Sequence, residues 1–274
     1  MRIDERIEQH YSQLGPQEQK AADTLLDHLG DLAVYNAAEL AELSGVSKAT
    51  MSRLFRRLGF SDFQEVKEHT RALRSSGVPL GTSEATGGLA LHAAVEQQNL
   101  NRLFENLDDE QLAAIARTVA GARTVALIGF RNSFPVALHL RQQLLQCRGA
   151  VTLAPQPGQS VGEELAGIGR GDVIVLLGFR RRPEGFRQVL KAAAKTGAHT
   201  ILIGDSSARW LAGEAATWIE CPVDGSGAFD SYAAAMSLAS ALANGVIMER
   251  GRDGRKRVSE VTGLYDDIGE IEKR

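Results

Sequence analysis

Five short apolar runs dominate the sequence between residues 124 and 223: "TVALIGF" (124–130), "AVTLAP" (150–155), "DVIVLLGF" (172–179), "HTILIGD" (199–205) and "TWIECPV" (217–223). The stretches between them, "PVALHLRQQLLQCRG", "VGEELAGI", "GFRQVLKAAAKTG" and "ARWLAGEA", have helical patterns instead. A strand with one face in water alternates apolar and polar residues, whereas these runs are apolar throughout. Strands of that kind are buried on both faces. Alternation with helices then predicts a parallel sheet covered on each side.

That unit does not account for the whole chain. At 274 residues the sequence exceeds one ordinary core, and its composition changes along its length. Residues 1–74 are charged and helically periodic, with few β-branched runs. Residues 75–88, "SSGVPLGTSEATGG", have the composition of a linker, and residues 89–274 hold the strands and further helices. A closing helix is predicted from Tyr232 to Arg250, followed by a polar, partly mobile tail after Gly251. The expected fold is α/β: an all-helical N-terminal domain, then a three-layer domain with a five-stranded parallel sheet.

Several classes are excluded as expectations. No apolar run reaches the ~18–20 residues of a membrane span. The opening "MRIDERIEQHYSQLG" has no apolar signal core, so the expected location is cytoplasmic. Cys147 and Cys221 lack metal-ligand spacing and are read as reduced thiols; neither a metal site nor a cofactor is expected. The net charge of −3 gives no hint of nucleic acid, so the distribution of charge matters more than its sum.

That distribution is uneven. The segment "YNAAELAELSGVSKATMSRLFRRLGFSDFQEVK" reads as two short helices around a tight break. Asn36 and Glu39 have the spacing of a capping box, and Ala38, Leu40, Ala41 and Leu43 form the first helix's inner face. Gly45 suits the left-handed turn, Val46 can plug the core, and Ser47 caps the second helix. Met51, Leu54, Phe55 and Leu58 then point inward, while Lys48, Thr50, Ser52, Arg53, Arg56 and Arg57 face out. Between Leu43 and Ser61 there are four cations and no anions. A helix of this kind fits a DNA major groove, with Ser47, Lys48, Thr50 and Ser52 toward base edges and Arg53 and Arg56 toward phosphates.

A second concentration of charge falls where an open parallel sheet holds its ligands, outside the carboxyl ends of the strands. The first strand runs into Gly129, Arg131, Asn132 and Ser133, just before a helix entered through Pro135. The third runs into Gly178, Arg180, Arg181 and Arg182, and the fourth into Asp205 and Ser206. Asn132 or Ser133 is the expected helix cap, and the free N–H groups of that helix start offer an anion pocket. Arginine binds carboxylate or phosphate through paired hydrogen bonds, so these residues are read as an effector clamp. The competing reading is internal ion pairing.

This order of parts resembles the RpiR/MurR family of bacterial transcription regulators, most specifically in "SGVSKATMSRLFRRLGFSDFQEVK". The resemblance spans about residues 15–265. It implies that the second domain is a SIS (sugar isomerase) domain, which binds phosphosugars and usually dimerises. Two loops depart from the SIS pattern. The "GxGxS" after the first strand is "GFRNS", with Arg131 at the second glycine. The hydroxyl-rich "SxSGxT" after the third strand is "GFRRRP". Guanidinium groups replace the hydroxyls, which favours a strongly anionic metabolite, a phosphorylated sugar or a carboxylate.

The leading expectation is thus a regulator, as a homodimer or homotetramer, that binds double-stranded operator DNA under control of an anionic small molecule. The alternative is a sugar-phosphate isomerase, for which Glu163, Glu164, His139 and His199 are the titratable candidates. None of them forms a recognisable catalytic pair, and no catalytic residue is assigned. A third possibility is an interaction module whose ligand site is empty.

Overall fold

The computed structural model describes residues 3–28, 32, 35–75, 88–227 and 229–272. It divides into two compact units, Met1–Val95 with Gly225–Asp230, and Glu96–Asp224 with Ser231–Arg274. All but the end residues of the expected linker lie outside the described residues.

The first unit is built from helices α1 (Ile3–His10), α2 (Pro16–Asp27), α3 (Ala37–Leu43), α4 (Lys48–Arg57) and α5 (Phe63–Ser75). Its core gathers Ile7, Leu25, Leu40, Met51, Leu54, Phe55, Leu58 and Val66, with Val46 packed against them. The local signals act as the sequence implies. The Asn36 side chain accepts from the amides of Ala38 and Glu39, and Glu39 returns the bond to Asn36. Gly45 takes φ 61, a left-handed conformation that costs glycine nothing. Leu43 departs from expectation. It is the last residue of α3 and is 53% exposed, turned out of the core as the helix ends.

The second unit contains α6 (Gly88–Asn106, from Glu96 onward), α7 (Asp109–Gly121), β1 (Val125–Gly129), α8 (Ser133–Cys147), β2 (Val151–Ala154), α9 (Val161–Ala166), β3 (Val173–Leu177), α10 (Phe186–Lys195), β4 (His199–Gly204), β5 (Thr217–Glu220) and α11 (Ala233–Ile268). A 3-10 helix, Ser206–Glu214, lies between β4 and β5. The five strands form one parallel sheet in the order β2-β1-β3-β4-β5.

The apolar runs are explained by two separate layers. Val125, Leu127, Val173, Val175, Leu177, Ile201 and Ile203 pack with α7, α8 and α11. The intervening Ala126, Ile128, Ile174, Leu176 and Leu202 pack with Leu165 of α9, and with Phe186 and Leu190 of α10. Successive strand residues face opposite ways, so both sets must be apolar. Among the described residues, no helix is long and apolar enough to cross a membrane.

The chain's end corrects the sequence reading. Gly251 is non-helical (φ 51, ψ −118), but the helix resumes beyond it and runs to Ile268. Val258, Val261, Tyr265 and Ile268 recur at spacings of three and four, so the tail expected to be mobile is amphipathic helix.

Two polar ties fix the edge of the sheet opposite the strand carboxyl ends. Arg148, 3% exposed, gives its guanidinium to carbonyls at the end of α7: Val119, Ala122 (2.9 Å) and Arg123 (3.2 Å). Burial lowers its pKa. The cation still suits the partial negative charge of a helix C-terminus. Asp172 receives Arg123 through Nε (3.0 Å) and a second nitrogen (2.6 Å), plus the amides of Thr124 (3.0 Å) and Gly169 (2.9 Å). Arg123 and the two amides hold its carboxyl well below the usual carboxylate range, against an opposing contribution from burial.

Replacing Asp172 with Ala strands two amides and should destabilise the second unit by about 2–3 kcal/mol. A depressed pKa stabilises above the unfolded value and loses that effect as pH falls. Calorimetry should therefore show the wild-type advantage over Asp172→Ala at neutral pH and its narrowing below about pH 4.

Candidate functional site

The first candidate surface is α4. Ser47 accepts from the Thr50 amide (3.1 Å), which begins the helix with its polar face outward. Lys48, Ser52, Arg53 and Arg56 are exposed on that face, as expected. Thr50 is not. It is 7% exposed, and its hydroxyl is engaged by Ser47 Oγ (2.9 Å) and an Arg53 nitrogen (3.4 Å). It is a second element of the cap rather than a free contact. Arg57 is held by Glu18 of α2 at 2.6 Å. The Glu18 pKa is lowered, first by the Gly15 amide and then by Arg57. Three cations, Lys48, Arg53 and Arg56, are left to give the helix its outward positive charge.

The second candidate lies at the carboxyl ends of β1, β3 and β4. Its glycines are explained by packing. A Cβ on Gly129 would lie 2.7 Å from the Ser133 carbonyl, and one on Gly178 would lie 2.5 Å from the Phe186 ring. Both allow a helix to approach the strand end closely, which is their role ahead of any ligand contact. Arg131 occupies a left-handed conformation (φ 52) and is exposed. A glycine at this position, as the SIS pattern has it, would adopt that conformation freely. Asn132 holds the N-cap position of α8, but its side chain makes no capping bond. The helix begins at Ser133, with Pro135 inside its first turn. Ser133 is buried, and its Oγ accepts from the Phe179 amide (3.4 Å), joining the turns after β1 and β3. That hydroxyl accepts an internal bond and keeps its own O–H as a donor.

Two arginines of the triplet are also engaged within the protein. Arg180 reaches Asp205 (3.2 Å) and Asp224 (2.5 Å), and Arg102 of α6 reaches the other oxygen of Asp224 (2.8 Å). Arg182 donates to the Gly178 carbonyl (3.0 Å), Asp205 (3.4 Å), Ser207 Oγ (3.0 Å) and the Ser207 carbonyl (2.8 Å). Burial lowers the Arg182 pKa, and Asp205 opposes that. Asp205 is 1% exposed and accepts from the Ser207 amide (3.3 Å) as cap of the 3-10 helix. It is the counter-ion of Arg180 and Arg182 in this network. Ser206 beside it is exposed. For Asp224, burial alone would raise the carboxyl; Arg180 and Arg102 outweigh it and lower the pKa.

Arg180, Arg182 and Arg102 are thus tied to the carboxylates of Asp205 and Asp224. Arg131 and Arg181 stand in the turns that follow β1 and β3. Arg181 also stands at positive φ (65), and its buried Nε has no hydrogen-bond partner among the described residues. Sequence reasoning missed Asp224 and Arg102. Asp224 directly follows "TWIECPV", so it could have been found by applying the strand-end rule to β5 as well.

The isomerase candidates do not converge. His199 opens β4, at the opposite edge of the sheet, and bonds Thr217 (2.9 Å). His139 lies within α8 and lines a cavity of about 490 Å³ against α11. Glu163 and Glu164 stand in the first turn of α9.

Residues 1–74 match the helix-turn-helix domain of the rpiR family, and residues 118–245 match the SIS domain. An uncharacterised HTH-type transcriptional regulator from the aarA 3' region of Providencia stuartii is 26% identical over 68% of this chain and 68% of its own length. The bifunctional protein glk of Burkholderia orbicola is 28% identical over 74% of this chain; the match spans only 32% of that longer protein. The structure of Vibrio vulnificus NanR complexed with ManNAc-6P aligns with a TM-score of 0.59 at 18% identity, covering 99% of this chain and 100% of that one. With an rpiR-type helix-turn-helix followed by a SIS domain on a five-stranded parallel sheet, the chain belongs to the RpiR family of transcriptional regulators.

Proposed function

We propose that this regulator binds operator DNA through α4 and is controlled by an anionic metabolite held at the carboxyl ends of β1 and β3. The observation that carries the DNA half is the exposed cationic face of α4, set by the Ser47 cap and undiluted by acidic side chains. Ser47, Lys48 and Ser52 lie at its N-terminal end, where a recognition helix meets base edges; Arg53 and Arg56 follow, toward the phosphates.

The effector half rests on the arginines in the turns after β1 and β3. Arg180 and Arg182 act chiefly as a frame, since Asp205 and Asp224 already hold them. Arg131, Arg181, Asn132 and the amides at the start of α8 are the groups left to meet an anion. A phosphorylated sugar or a sugar acid supplies the charge they require. NanR, of the same fold, has a solved structure complexed with ManNAc-6P, which favours the phosphosugar class. Such a ligand controls DNA binding only if it prefers one arrangement of the protein over another.

Two measurements test the two halves separately. Fluorescence anisotropy with a duplex selected from a random library should show tight, salt-dependent binding. Arg53→Ala should weaken it and reduce the salt slope by about 1; an unchanged slope rejects this docking of α4. In thermal-shift titrations, hexose 6-phosphates or sugar acids at about 100 times Kd should stabilise the wild type by about 2.7 kcal/mol. Arg181→Ala should abolish most of that shift. If no member of either class shifts the wild type, the effector reading fails and the DNA reading stands.

A further inference from the structure

We propose that the cavity between α8 and α11 is a second ligand site, built for a small neutral polyol or unphosphorylated monosaccharide. The inference is independent of the anion site at the strand ends.

The two walls are unusual for a helix seam. Toward the sheet, Leu140 and Leu144 of α8 and Leu238 and Leu242 of α11 fill the core, as amphipathic helices should. The neighbouring stripe of α8 carries His139, Gln142, Gln143 and Gln146, at spacings of three and four. The facing stripe of α11 carries Ser240, Asn244 and Ile247, again at such spacings. Where two helices meet, positions like these are normally apolar, and polar residues along them call for a functional reason. Here the helices do not close on each other. They leave a cavity of about 490 Å³, within the range of small-molecule pockets.

A third wall comes from beyond Gly251. The non-helical backbone there (φ 51, ψ −118) turns the chain, and Val258 lines the same cavity as Ile247. Gly254 seats this segment. A Cβ at Gly254 would lie 3.1 Å from the Arg250 Cβ and 3.3 Å from both Cγ1 and the carbonyl of Ile247. Two glycines thus hold the wall in place.

The lining selects the ligand. None of the ten described residues that line the cavity is Asp, Glu, Lys or Arg, so neither an anion nor a cation finds a counter-charge. None is Phe, Tyr or Trp, so a planar heterocycle finds no large aromatic face to stack on. The walls offer carboxamides, each with a carbonyl acceptor and an NH2 donor, beside the apolar Ala243, Ile247 and Val258. A polyol matches both, since each hydroxyl donates and accepts while its C–H groups are apolar. Gln143 marks the contact. Its Nε2 donates to Ser240 Oγ (3.0 Å), and its Oε1 is buried without a hydrogen-bond partner among the described residues. An unpaired buried acceptor is costly, and a turn of the amide toward a ligand hydroxyl removes that cost.

Saturation-transfer NMR on the full chain, with glucose, mannitol and myo-inositol as probes, tests the site. Thermal shift is unsuited, because such solutes stabilise proteins generally by exclusion from their surface. At least one probe should give a saturable signal. Gln143→Leu with Ser240→Ala removes both partners of one hydrogen bond, a change that costs the fold little, and should weaken that probe at least tenfold. Asn244→Phe, on the exposed rim, should do the same by filling the cavity. Circular dichroism identifies which variants are folded. No saturable signal from any probe, or a loss below tenfold in either folded variant, overturns the proposal. Arg181→Ala should leave polyol binding unchanged. A loss there would place the probe at the strand ends and overturn the proposal as well, while failure of the cavity variants leaves the anion site untouched.

Discussion

Burial of the sheet on both faces is the constraint from which the rest of the second unit follows. With Val125 and Leu127 facing one layer and Ala126 and Ile128 the other, β1 has no position along its length for a polar side chain. The same holds for β3. Polar chemistry is displaced to the ends of the strands, where backbone groups leave the ladder and helices begin. One end is closed by structural ties, Asp172 with Arg123 and Arg148 with the carbonyls of α7. The other carries the arginines. The two ends of one sheet thus separate the Asp172 and Arg148 ties from the arginine cluster.

The arginine network shows how neighbouring guanidiniums can be held together within a fold. Arg180 and Arg182 flank the buried carboxylate of Asp205, and Asp224 closes the row with Arg102. Buried charges persist when they are paired and hydrogen-bonded, and each member here has several partners. The loop after β3 thus carries guanidiniums, two of them tied to buried carboxylates, where SIS domains usually have hydroxyls.

Much of this was legible in the sequence, for reasons that differ by element. The strands declared themselves because two-sided burial leaves no polar residue in the run. The helix-turn-helix did so because Asn36, Gly45 and Ser47 act on neighbours a few residues away, where spacing is informative. The partners of the arginines were not legible. Asp205 and Asp224 stand 25 and 44 residues from Arg180, and only the strand order brings them together. Thr50 was placed outside because it flanks the polar face; its burial depends on the cap it completes with Ser47. The helix after Gly251 was hidden by a glycine and a dense run of charge, the usual marks of a frayed end.

The left-handed backbone at Arg131 and Arg181 has a consequence for how these loops can change. A non-glycine residue there carries about 1 kcal/mol of conformational cost that glycine would not. Exchange of either for glycine relaxes the turn while it removes a cation, so backbone ease and the charge that the proposed effector site calls for pull in opposite directions at a single codon. A lineage drifting toward greater stability would find easy first steps at these two positions, whereas Arg180 and Arg182 are retained by their own ties to Asp205 and Asp224.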